Sequence, residues 1–278
     1  VLYLDQFINK NPYSEVAWHQ LGRQYYALKN FEKAVWAFDY ATLIDESFLG
    51  AYLEKAKALE KLRKYQEAID CYSITMELDD VTSFVLLRVA KCYEKLGNNK
   101  EALKFYSKTV HEDPLLDKAW IAITDFYVRQ LDFKKALYYV NKAIGIEGDN
   151  KLYWKRFASI NRALKLYEEA EYGYRRAFEL GDTDLDTYIY WADALQYVGD
   201  YQIAIEALLQ GVENHPDNYE IEYRLAGLYY ILNQTKKGKF HLVNALQSNY
   251  KNHSILENHF PTIWDKKSIQ NQIIKFRD

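Results

Sequence analysis

The sequence predicts an all-α fold, a solenoid of stacked helix pairs, from two observations. A pattern in residues 15–48 returns every 34 residues, and its large apolar side chains recur at spacings of three and four. The small residue of the pattern lies at Ala34, Ala68, Ala102, Ala136, Ala170, Ala204 and Gly238. A unit of this length cannot bury its apolar face alone, so neighbouring copies stack into one elongated core.

The first 14 residues precede the first full copy of the pattern. Pro12 stands where a copy closes, and Leu4 and Phe7 fall on second-helix core positions. We therefore expect residues 1–14 to be a half-repeat, the second helix of a preceding copy. Either a longer protein was trimmed, or this helix covers the apolar end of the stack.

Each copy predicts two helices joined by a short turn. In the first copy, Trp18, Leu21 and Tyr25 share one face of the first helix. The second helix brings Ala34 and Phe38 to that face, and the small alanine lets the two backbones approach closely. The left-handed residue that ends the first helix is expected to be glycine or asparagine. Examples of these turns are Leu28-Lys29-Asn30, Leu96-Gly97-Asn98 and Val198-Gly199-Asp200.

Two copies place polar residues at positions that the pattern predicts to be buried. They are Lys55 in the second copy and Asn161 in the fifth. We expect these two side chains to extend to the surface or to find a polar partner. The seventh copy departs further, with Glu222, Thr235 and Gly238 at signature positions, as is expected near the end of the repeats.

Seven copies cover residues 15–252, and residues 253–278 no longer follow the pattern. Pro261 interrupts the next helix, and Ser268 opens a short helix in which Ile269, Ile273 and Phe276 share a face. We interpret 253–278 as a C-terminal capping helix segment over the last copy, with a tail that docks elsewhere as the alternative.

Composition excludes some function classes. The net charge of −3 gives no basic footprint for a nucleic-acid partner, and no apolar run is long enough for membrane insertion. Cys71 and Cys92 fall at apolar-flanked helical positions, which indicates buried thiols and a cytoplasmic, reducing location. The lysine-, asparagine- and isoleucine-rich composition indicates a low-GC bacterial source.

The sequence contains no catalytic constellation, cofactor motif or metal-ligand spacing. It lacks a phosphate-binding loop, a dinucleotide fingerprint and a nucleophile elbow, and its six histidines are scattered. Asp182, Asp184 and Asp186 imitate a calcium loop, but the turn glycine and the closing glutamate are absent. We interpret this stretch as a solvated turn at a helix N-terminus, and we expect the protein not to be an enzyme.

The pattern of Trp18, Leu21, Gly22, Tyr25, Ala34 and Phe38 resembles the signature of tetratricopeptide repeat (TPR) proteins across residues 15–252. This resemblance implies a right-handed α-solenoid superhelix of helix-turn-helix repeats. It also implies a concave groove, lined mainly by first helices, in which a segment of a partner protein lies.

The resemblance implies groove positions at Val16, His19, Arg23 and Tyr26 and at their equivalents in later repeats. The row that begins at Arg23 continues with Lys57 and Lys91 and then turns acidic at Asp125 and Asp193. Tyr223 and Tyr230 fall off the packing positions, so they are candidates for the inner surface. The predicted partner-binding residues are His19, Arg23, Tyr26, Lys57, Lys91, Asp125, Asp193, Tyr223 and Tyr230.

Two interpretations of the charged row stay open. In one, the groove has two electrostatic halves that accept an acidic and a basic segment of the partner. In the other, Lys57 and Lys91 pair with Glu60 and Glu94 on the same helices and are ordinary surface. Chaperone-binding relatives use a clamp of basic residues and asparagines, and those asparagines are missing here.

The sequence therefore predicts a non-enzymatic scaffold that binds an extended or helical segment of another protein. The alternative is a recruiting or regulatory arm of a larger enzyme or assembly factor. Self-association through exposed end repeats is a further possibility, because Leu4 and Phe7 lie at the N-terminal end.

Overall fold

Every regular element in the computed structural model is a helix across residues 2–276, which the structure describes. The chain forms two compact units, and the boundary between them lies between Phe126 and Tyr127, inside the helix Asp117–Arg129. The first unit contains α1 (Leu2–Lys10), α2 (Glu15–Ala27), α3 (Phe31–Ile44), α4 (Leu49–Lys61), α5 (Tyr65–Leu78), α6 (Ser83–Lys95), α7 (Asn99–Glu112) and most of α8 (Asp117–Arg129). The second contains α9 (Phe133–Ile146), α10 (Lys151–Ala163), α11 (Tyr167–Glu179), α12 (Leu185–Val198), α13 (Tyr201–Asn214), α14 (Tyr219–Ile231), α15 (Thr235–Asn249), a short 3-10 helix (Tyr250–Asn252), α16 (Ser254–His259), α17 (Pro261–Trp264) and α18 (Lys267–Ile274).

Within each unit, consecutive helices pack as pairs. The pairs are α2/α3, α4/α5 and α6/α7 in the first unit, and α10/α11, α12/α13 and α14/α15 in the second. Tyr127 on α8 and Tyr139 on α9 stack with their ring centroids 5.3 Å apart. The alanine that recurs from Ala34 to Ala204 has no solvent exposure in any copy. The predicted all-α solenoid of helix pairs is therefore confirmed.

The turn inside each pair has one conformation in all seven copies. In the first copy, Lys29 N donates to Tyr26 O and Asn30 N donates to Tyr25 O, both at 2.9 Å. These bonds satisfy carbonyls that the helix end would otherwise leave without a donor. The residue with positive φ is Lys29, Arg63, Gly97, Leu131, Lys165, Gly199 and Asn233 in successive copies.

The expectation that glycine or asparagine fills the left-handed position is therefore wrong in four copies. In the first copy Lys29, with a φ of 59°, takes that conformation. Asn30 instead precedes the second helix, where its side chain accepts a hydrogen bond from Lys33 N. The closing hydrogen bonds of the turn impose the conformation even on lysine, arginine and leucine.

A tryptophan near the start of the first helix binds the preceding loop in three copies. Its indole Nε1 donates to the backbone carbonyl six residues earlier. The bonds are Trp18 to Pro12 O at 2.8 Å, Trp120 to Pro114 O at 2.9 Å and Trp154 to Gly148 O at 2.7 Å. Each bond fixes where the loop enters the helix.

The polar residues at nominally buried positions find partners. Lys55 Nζ lies 2.5 Å from Asp39 Oδ1, and Asn161 Nδ2 donates to a carbonyl of its own helix at 2.9 Å. Glu222 Oε2 lies 2.8 Å from His241 Nδ1. The expectation of polar partners is confirmed at Lys55 and Asn161.

At the N-terminal end, α1 packs against α2. Ile8 is buried and Leu4 is partly buried against the core of the first helix pair. These two residues are four apart and share one helix face. Phe7 lies off that face and is 40% exposed, so the prediction that it is a core residue is wrong.

Residues 254–274 form three short helices, of which α16 and α17 pack against α14. Pro261 occupies the first turn of α17, where the missing N–H costs no intrahelical bond. The buried side chains of this segment are Leu256, Phe260, Ile263, Ile269 and Ile273, and Phe276 is partly buried.

The two cysteines are buried free thiols. Burial raises the pKa of Cys92 to about 12 and also raises the pKa of Cys71. Both are therefore protonated and poorly reactive near neutral pH. Among the helices described, none combines the length and the apolar character needed to cross a bilayer.

Candidate protein-binding surfaces

The first unit brings three predicted site residues together around one pocket. Arg23, Tyr26 and Ala27 on α2 face Glu54 and Lys57 on α4, and these five residues line a cavity of about 290 Å³. The Arg23 side chain is 53% exposed. We call the side of α2, α4 and α6 that carries Arg23, Lys57 and Lys91 the first-helix surface of the first unit.

Glu54 fixes one wall of this pocket. Its Oε2 lies 3.6 Å from Arg23 Nε and 3.2 Å from His19 Nε2. The His19 ring also packs against the rings of Phe38 and Phe48, with centroids 5.7 and 4.9 Å away. Burial is the main cause that lowers the pKa of His19. His19 therefore contacts the Glu54 carboxylate but does not itself line the pocket.

Lys57 and Lys91 do not pair with the glutamates on their own helices. Glu60 instead accepts hydrogen bonds from Tyr72 Oη at 2.6 Å and from Arg88 Nε at 2.8 Å. Glu94 accepts one from Tyr106 Oη at 2.7 Å. Across residues 2–276, neither lysine makes an ion pair, so the structure does not support the interpretation of paired surface lysines.

Both lysines keep charge available on the first-helix surface. Lys57 Nζ lies 5.3 Å from the centroid of the Phe84 ring, which is 45% exposed. Lys91 is partly buried, and its pKa is lowered first by burial and then by the neighbouring charge of Arg88. Asp125 on α8 acts in the opposite direction on Lys91. The surface thus presents Arg23, Lys57 and Lys91 beside an exposed aromatic ring.

In the second unit, Asp193 is buried in an ion pair. Arg224 Nε lies 2.8 Å from Asp193 Oδ1 and Arg224 Nη2 lies 3.1 Å from Oδ2. Their side chains are only 6% and 8% exposed. The prediction that Asp193 offers a charge to a partner is wrong, because Arg224 already compensates that charge.

Tyr223 and Tyr230 are also buried, at 0% and 6% exposure. Tyr223 Oη donates to Asn249 O at 3.0 Å, and burial raises the pKa of its hydroxyl. Tyr230 lines a pocket with Ile269 and Gln272 of α18. Their prediction as accessible groove residues is wrong, because residues of the chain itself cover them.

The C-terminal segment covers Tyr230 and folds back across α14 onto α12. Gln196 on α12 donates through Nε2 to His259 O at 2.8 Å, and His259 Nδ1 lies 3.6 Å from Asp193 Oδ1. At Gly227 on α14, an added Cβ would lie 2.3 Å from the Phe260 ring. The first-helix positions of the last two repeats are thus occupied by residues 259–260.

Sequence reasoning missed Arg224 and Phe260 as the residues that close this surface. One signal was present. The row of equivalent positions that begins at Arg23 reaches Gly227 in the seventh copy, and glycine has no side chain to fill the space. A gap at that register position indicates that a large side chain from elsewhere packs there. The identity of that side chain was not readable, since 33 residues separate it from the glycine in the chain.

The aspartates that imitate a calcium loop hold a lysine. Lys155 Nζ lies 2.7 Å from Asp184 Oδ2 and 3.4 Å from Asp182 Oδ2. Thr187 Oγ1 donates to Asp182 Oδ2 at 2.5 Å. No group of three or more potential metal ligands occurs among the residues described. The stretch closes the start of α12.

Three segments of the chain match family models of the tetratricopeptide repeat. They are residues 49–73, 84–115 and 191–237. No curated protein matches the chain. The three segments fall in the second, third, sixth and seventh copies of the pattern, so the models recognise repeats in both units.

Similar solved structures carry the same fold. The C-terminal part of a TPR protein from Cytophaga hutchinsonii has a TM-score of 0.72 and 17% identity, over 86% of this chain and 98% of that one. A TPR protein from Parabacteroides merdae gives 0.56 and 13% over the full length of both chains. YrrB, described as a TPR protein with an unusual peptide-binding site, gives 0.50 and 15% over 64% and 92%. At these identities the likeness concerns the fold.

Proposed function

We propose that this chain, a tetratricopeptide repeat protein, is a non-enzymatic scaffold. It binds an extended or helical segment of another protein, and it does so on the first-helix surface of its first unit. Tetratricopeptide repeats serve generally as protein interaction scaffolds. The single observation that carries the proposal is the open pocket of Arg23, Tyr26, Ala27, Glu54 and Lys57.

The chemistry of this surface favours an acidic segment with an apolar side chain. Arg23, Lys57 and Lys91 are spaced one repeat apart and carry positive charge, while Asp125 follows at the next position. Lys57 and Lys91 make no ion pair within residues 2–276, and such cationic side chains attract carboxylates and increase the rate of association. The exposed Phe84 ring beside Lys57 offers apolar contact area.

The YrrB structure supports the class of ligand. That protein is described as having a peptide-binding site, and a peptide is the kind of ligand that fits a pocket between two first helices. The corresponding surface in repeats six and seven of this chain is covered by residues 259–260. The proposal therefore assigns partner binding to the first unit.

The test is an affinity pull-down with mass spectrometry in which Lys57→Glu/Lys91→Glu is compared with the unchanged chain. Charge reversal is expected to remove a specific partner, because two attractive contacts become repulsive. The matched control is Lys100→Glu/Lys108→Glu, which makes the same change of net charge at exposed second-helix positions of the same unit.

Recovery of the partner by the control and its loss from the first-helix variant would support the proposal. Circular dichroism melting of both variants establishes that each one folds. If both variants recover the same proteins as the unchanged chain, the first-helix surface is not the binding surface.

A further inference from the structure

In the second unit, α18 and the two residues after it form a cavity of about 370 Å³ against α14 and α15, which we call the α15/α18 cavity. The wall that α18 contributes is fixed to the core. Ile269 and Ile273 are buried, and Tyr230 Oη on α14 donates to Gln272 Oε1 at 3.5 Å. Small-molecule sites have volumes of about 300–1,000 Å³, so a ligand has room here.

The mouth of the α15/α18 cavity is lined by accessible hydrogen-bond donors. Lys239 and Lys275 bring two ammonium groups, Thr235 and Ser268 bring hydroxyls, and Asn271 brings a carboxamide. All five residues are exposed, and within residues 2–276 their side chains make no hydrogen bond to the protein. The described lining contains no aspartate or glutamate. The donors are therefore free, and they are reached from solvent.

The two lysines of this cavity have no internal counter-charge. Across residues 2–276, neither Lys239 nor Lys275 makes an ion pair. The surrounding stretch, residues 232–276, contains seven lysines and only two carboxylates, Glu257 and Asp265, although the whole chain has a net charge of −3. Like charges that line one cavity repel each other, and an anion bound between them relieves that repulsion. The cavity is therefore suited to an anion.

The interior of the cavity is apolar. Ile269 and Tyr230 are 2% and 6% exposed, and Val243 and Phe276 are partly buried beside them. Ligand sites commonly combine such an apolar lining with a few polar groups that fix the orientation of the ligand. A hydrated inorganic anion would leave this surface in contact with water. The lining thus favours an anion that carries an apolar group.

The charge and geometry of the donors favour phosphate over carboxylate. A phosphate monoester has a charge of about −1.5 to −2 near neutral pH and three acceptor oxygens, which match two ammonium groups and several neutral donors. A carboxylate has one charge and a planar pair of oxygens, for which the arginine fork is the better partner. The described lining contains no arginine.

We propose that the α15/α18 cavity binds a phosphate monoester whose ester group is apolar or aromatic. Lys239 and Lys275 bind the phosphate oxygens, and the hydroxyls of Thr235 and Ser268 donate to them. The ester group packs against Ile269. Its source is either a small phosphate ester or a phosphorylated tyrosine side chain of a polypeptide. The site lies in the second unit and shares no residue with the first-helix surface of the first unit, so it goes beyond the function proposed above.

The test uses the intact chain labelled with ¹³C at the isoleucine δ1 methyl groups. The Ile269 resonance is assigned by its loss in Ile269→Val, and phenyl phosphate is then added at constant ionic strength near neutral pH. We expect a saturable shift of this resonance, since the ring of the ligand lies against Ile269. Ile8, which is buried in the first unit, is the internal control and is expected not to shift. Absence of a saturable shift at Ile269 would overturn the proposal.

Two further ligands test the chemical class. Benzoate replaces the phosphate by a carboxylate, and inorganic phosphate lacks the ring. Both are expected to bind more weakly than phenyl phosphate, because benzoate brings one charge to two lysines and inorganic phosphate leaves the apolar lining uncovered. Benzoate binding as tightly as phenyl phosphate would refute the assignment of a phosphate. Equally tight binding of inorganic phosphate would refute the apolar ester group.

A second arm distinguishes the two sources of the phosphate ester. The blocked peptide N-acetyl-Ala-phosphotyrosine-Ala-amide is compared with phenyl phosphate, and its unphosphorylated counterpart is expected not to saturate. Tighter saturation by the phosphopeptide than by phenyl phosphate identifies a phosphorylated polypeptide. Equal or weaker saturation identifies a small phosphate ester.

A pair of double variants separates the cavity from the general positive charge around it. Lys239→Gln/Lys275→Gln is expected to weaken phenyl phosphate binding about tenfold or more, the effect of losing a charge-assisted contact. Lys266→Gln/Lys267→Gln removes the same charge from exposed lysines outside the cavity lining and is expected to change binding less than about twofold. Equal weakening by the two variants would show attraction to the basic surface as a whole and would contradict the proposal.

Discussion

At the scale of single residues, the repeats show how one position behaves in different surroundings. The second-helix position that begins at Phe38 is occupied in later copies by Tyr72, Tyr106, Val140, Tyr174, Leu208 and Leu242. Where a glutamate lies twelve residues earlier, as for Tyr72 and Tyr106, the hydroxyl has a carboxylate acceptor. Where that residue is Arg162, Tyr174 has none. The side chain twelve residues earlier thus decides whether the buried hydroxyl stabilises the fold.

This difference predicts unequal losses of stability for the same substitution at Tyr72 and at Tyr174. Tyr72→Phe is expected to lower the free energy of unfolding by about 1.5–3 kcal/mol, since Glu60 loses a buried charge-assisted hydrogen bond. Tyr174→Phe removes a hydroxyl without an acceptor and is expected to cost less than about 0.5 kcal/mol. Urea denaturation of both variants measures the difference, and equal losses would contradict this account.

The predictions of accessible site residues were more accurate for the first unit than for the second. Arg23, Tyr26 and Lys57 could be placed on one surface because the 34-residue register repeats without an insertion. Asp193, Tyr223 and Tyr230 obey the same register but are buried. Asp193 pairs with Arg224 and Tyr223 binds Asn249 O, both in the last repeat. Tyr230 lies against α18, which is outside the repeats. Periodicity describes contacts between neighbouring repeats. It carries no information on a segment that folds back from outside the pattern.

At the scale of elements, the turn within each pair is the most regular feature of the chain. All seven turns contain a residue with positive φ, and five of these residues are not glycine. A side chain in this conformation crowds the following carbonyl and costs roughly 1–2 kcal/mol. The helix-ending hydrogen bonds compensate for that strain in each turn.

Leu131→Gly is therefore expected to stabilise the protein. Leu131 has a φ of 58° and is 74% exposed, so the substitution relieves strain and removes little packing. The expected gain is about 0.5–1 kcal/mol, because the greater freedom of glycine in the unfolded chain offsets part of the relief. Thermal melting measures it, with Gly97→Ala as the reverse control that should lower stability. A lower melting temperature for Leu131→Gly would count against the strain argument.

The packing of the C-terminal segment is expected to depend on the protonation state of His259. Its Nδ1 lies 3.6 Å from Asp193 Oδ1 and its Nε2 lies 3.4 Å from Arg224 Nη2. Burial is the main cause that lowers the pKa of His259; Asp193 and Glu220 oppose the shift and Arg224 adds to it. The folded chain therefore favours the neutral imidazole more than the unfolded chain does.

This shift predicts that the segment loosens in mild acid. The stabilisation is complete above the unfolded pKa of about 6.5 and is lost as the pH falls towards the lower folded pKa. Hydrogen exchange of residues 254–264, corrected for intrinsic rates, is expected to quicken below that pH. His259→Gln should remove the dependence, whereas His111→Gln on an exposed face of the first unit should not. An unchanged pH dependence in His259→Gln would refute this role.

At the scale of the whole molecule, the fold could be predicted because every repeat forms the same kind of helix pair with the same packing positions. Each copy repeats the small residue at Ala34 and the helix spacing of Trp18, Leu21 and Tyr25, so one correct repeat predicts the others. What could not be predicted is where the copies differ in function. The open pocket at Arg23, the Arg162 guanidinium over the Tyr190 ring and the surface covered by Phe260 all depend on single departures from the pattern. An average over repeats conceals such departures.

The tryptophans anchored to their preceding loops give the two units separate optical reporters. Trp18 belongs to the first unit and Trp154 to the second, and each indole N–H is hydrogen-bonded to a carbonyl six residues earlier. An indole held in this way emits differently once the loop leaves the helix. The chain has six tryptophans, so a variant that retains only Trp18 and another that retains only Trp154 would follow the melting of each unit by fluorescence. The spectroscopy of this protein can thus be resolved unit by unit without an external dye.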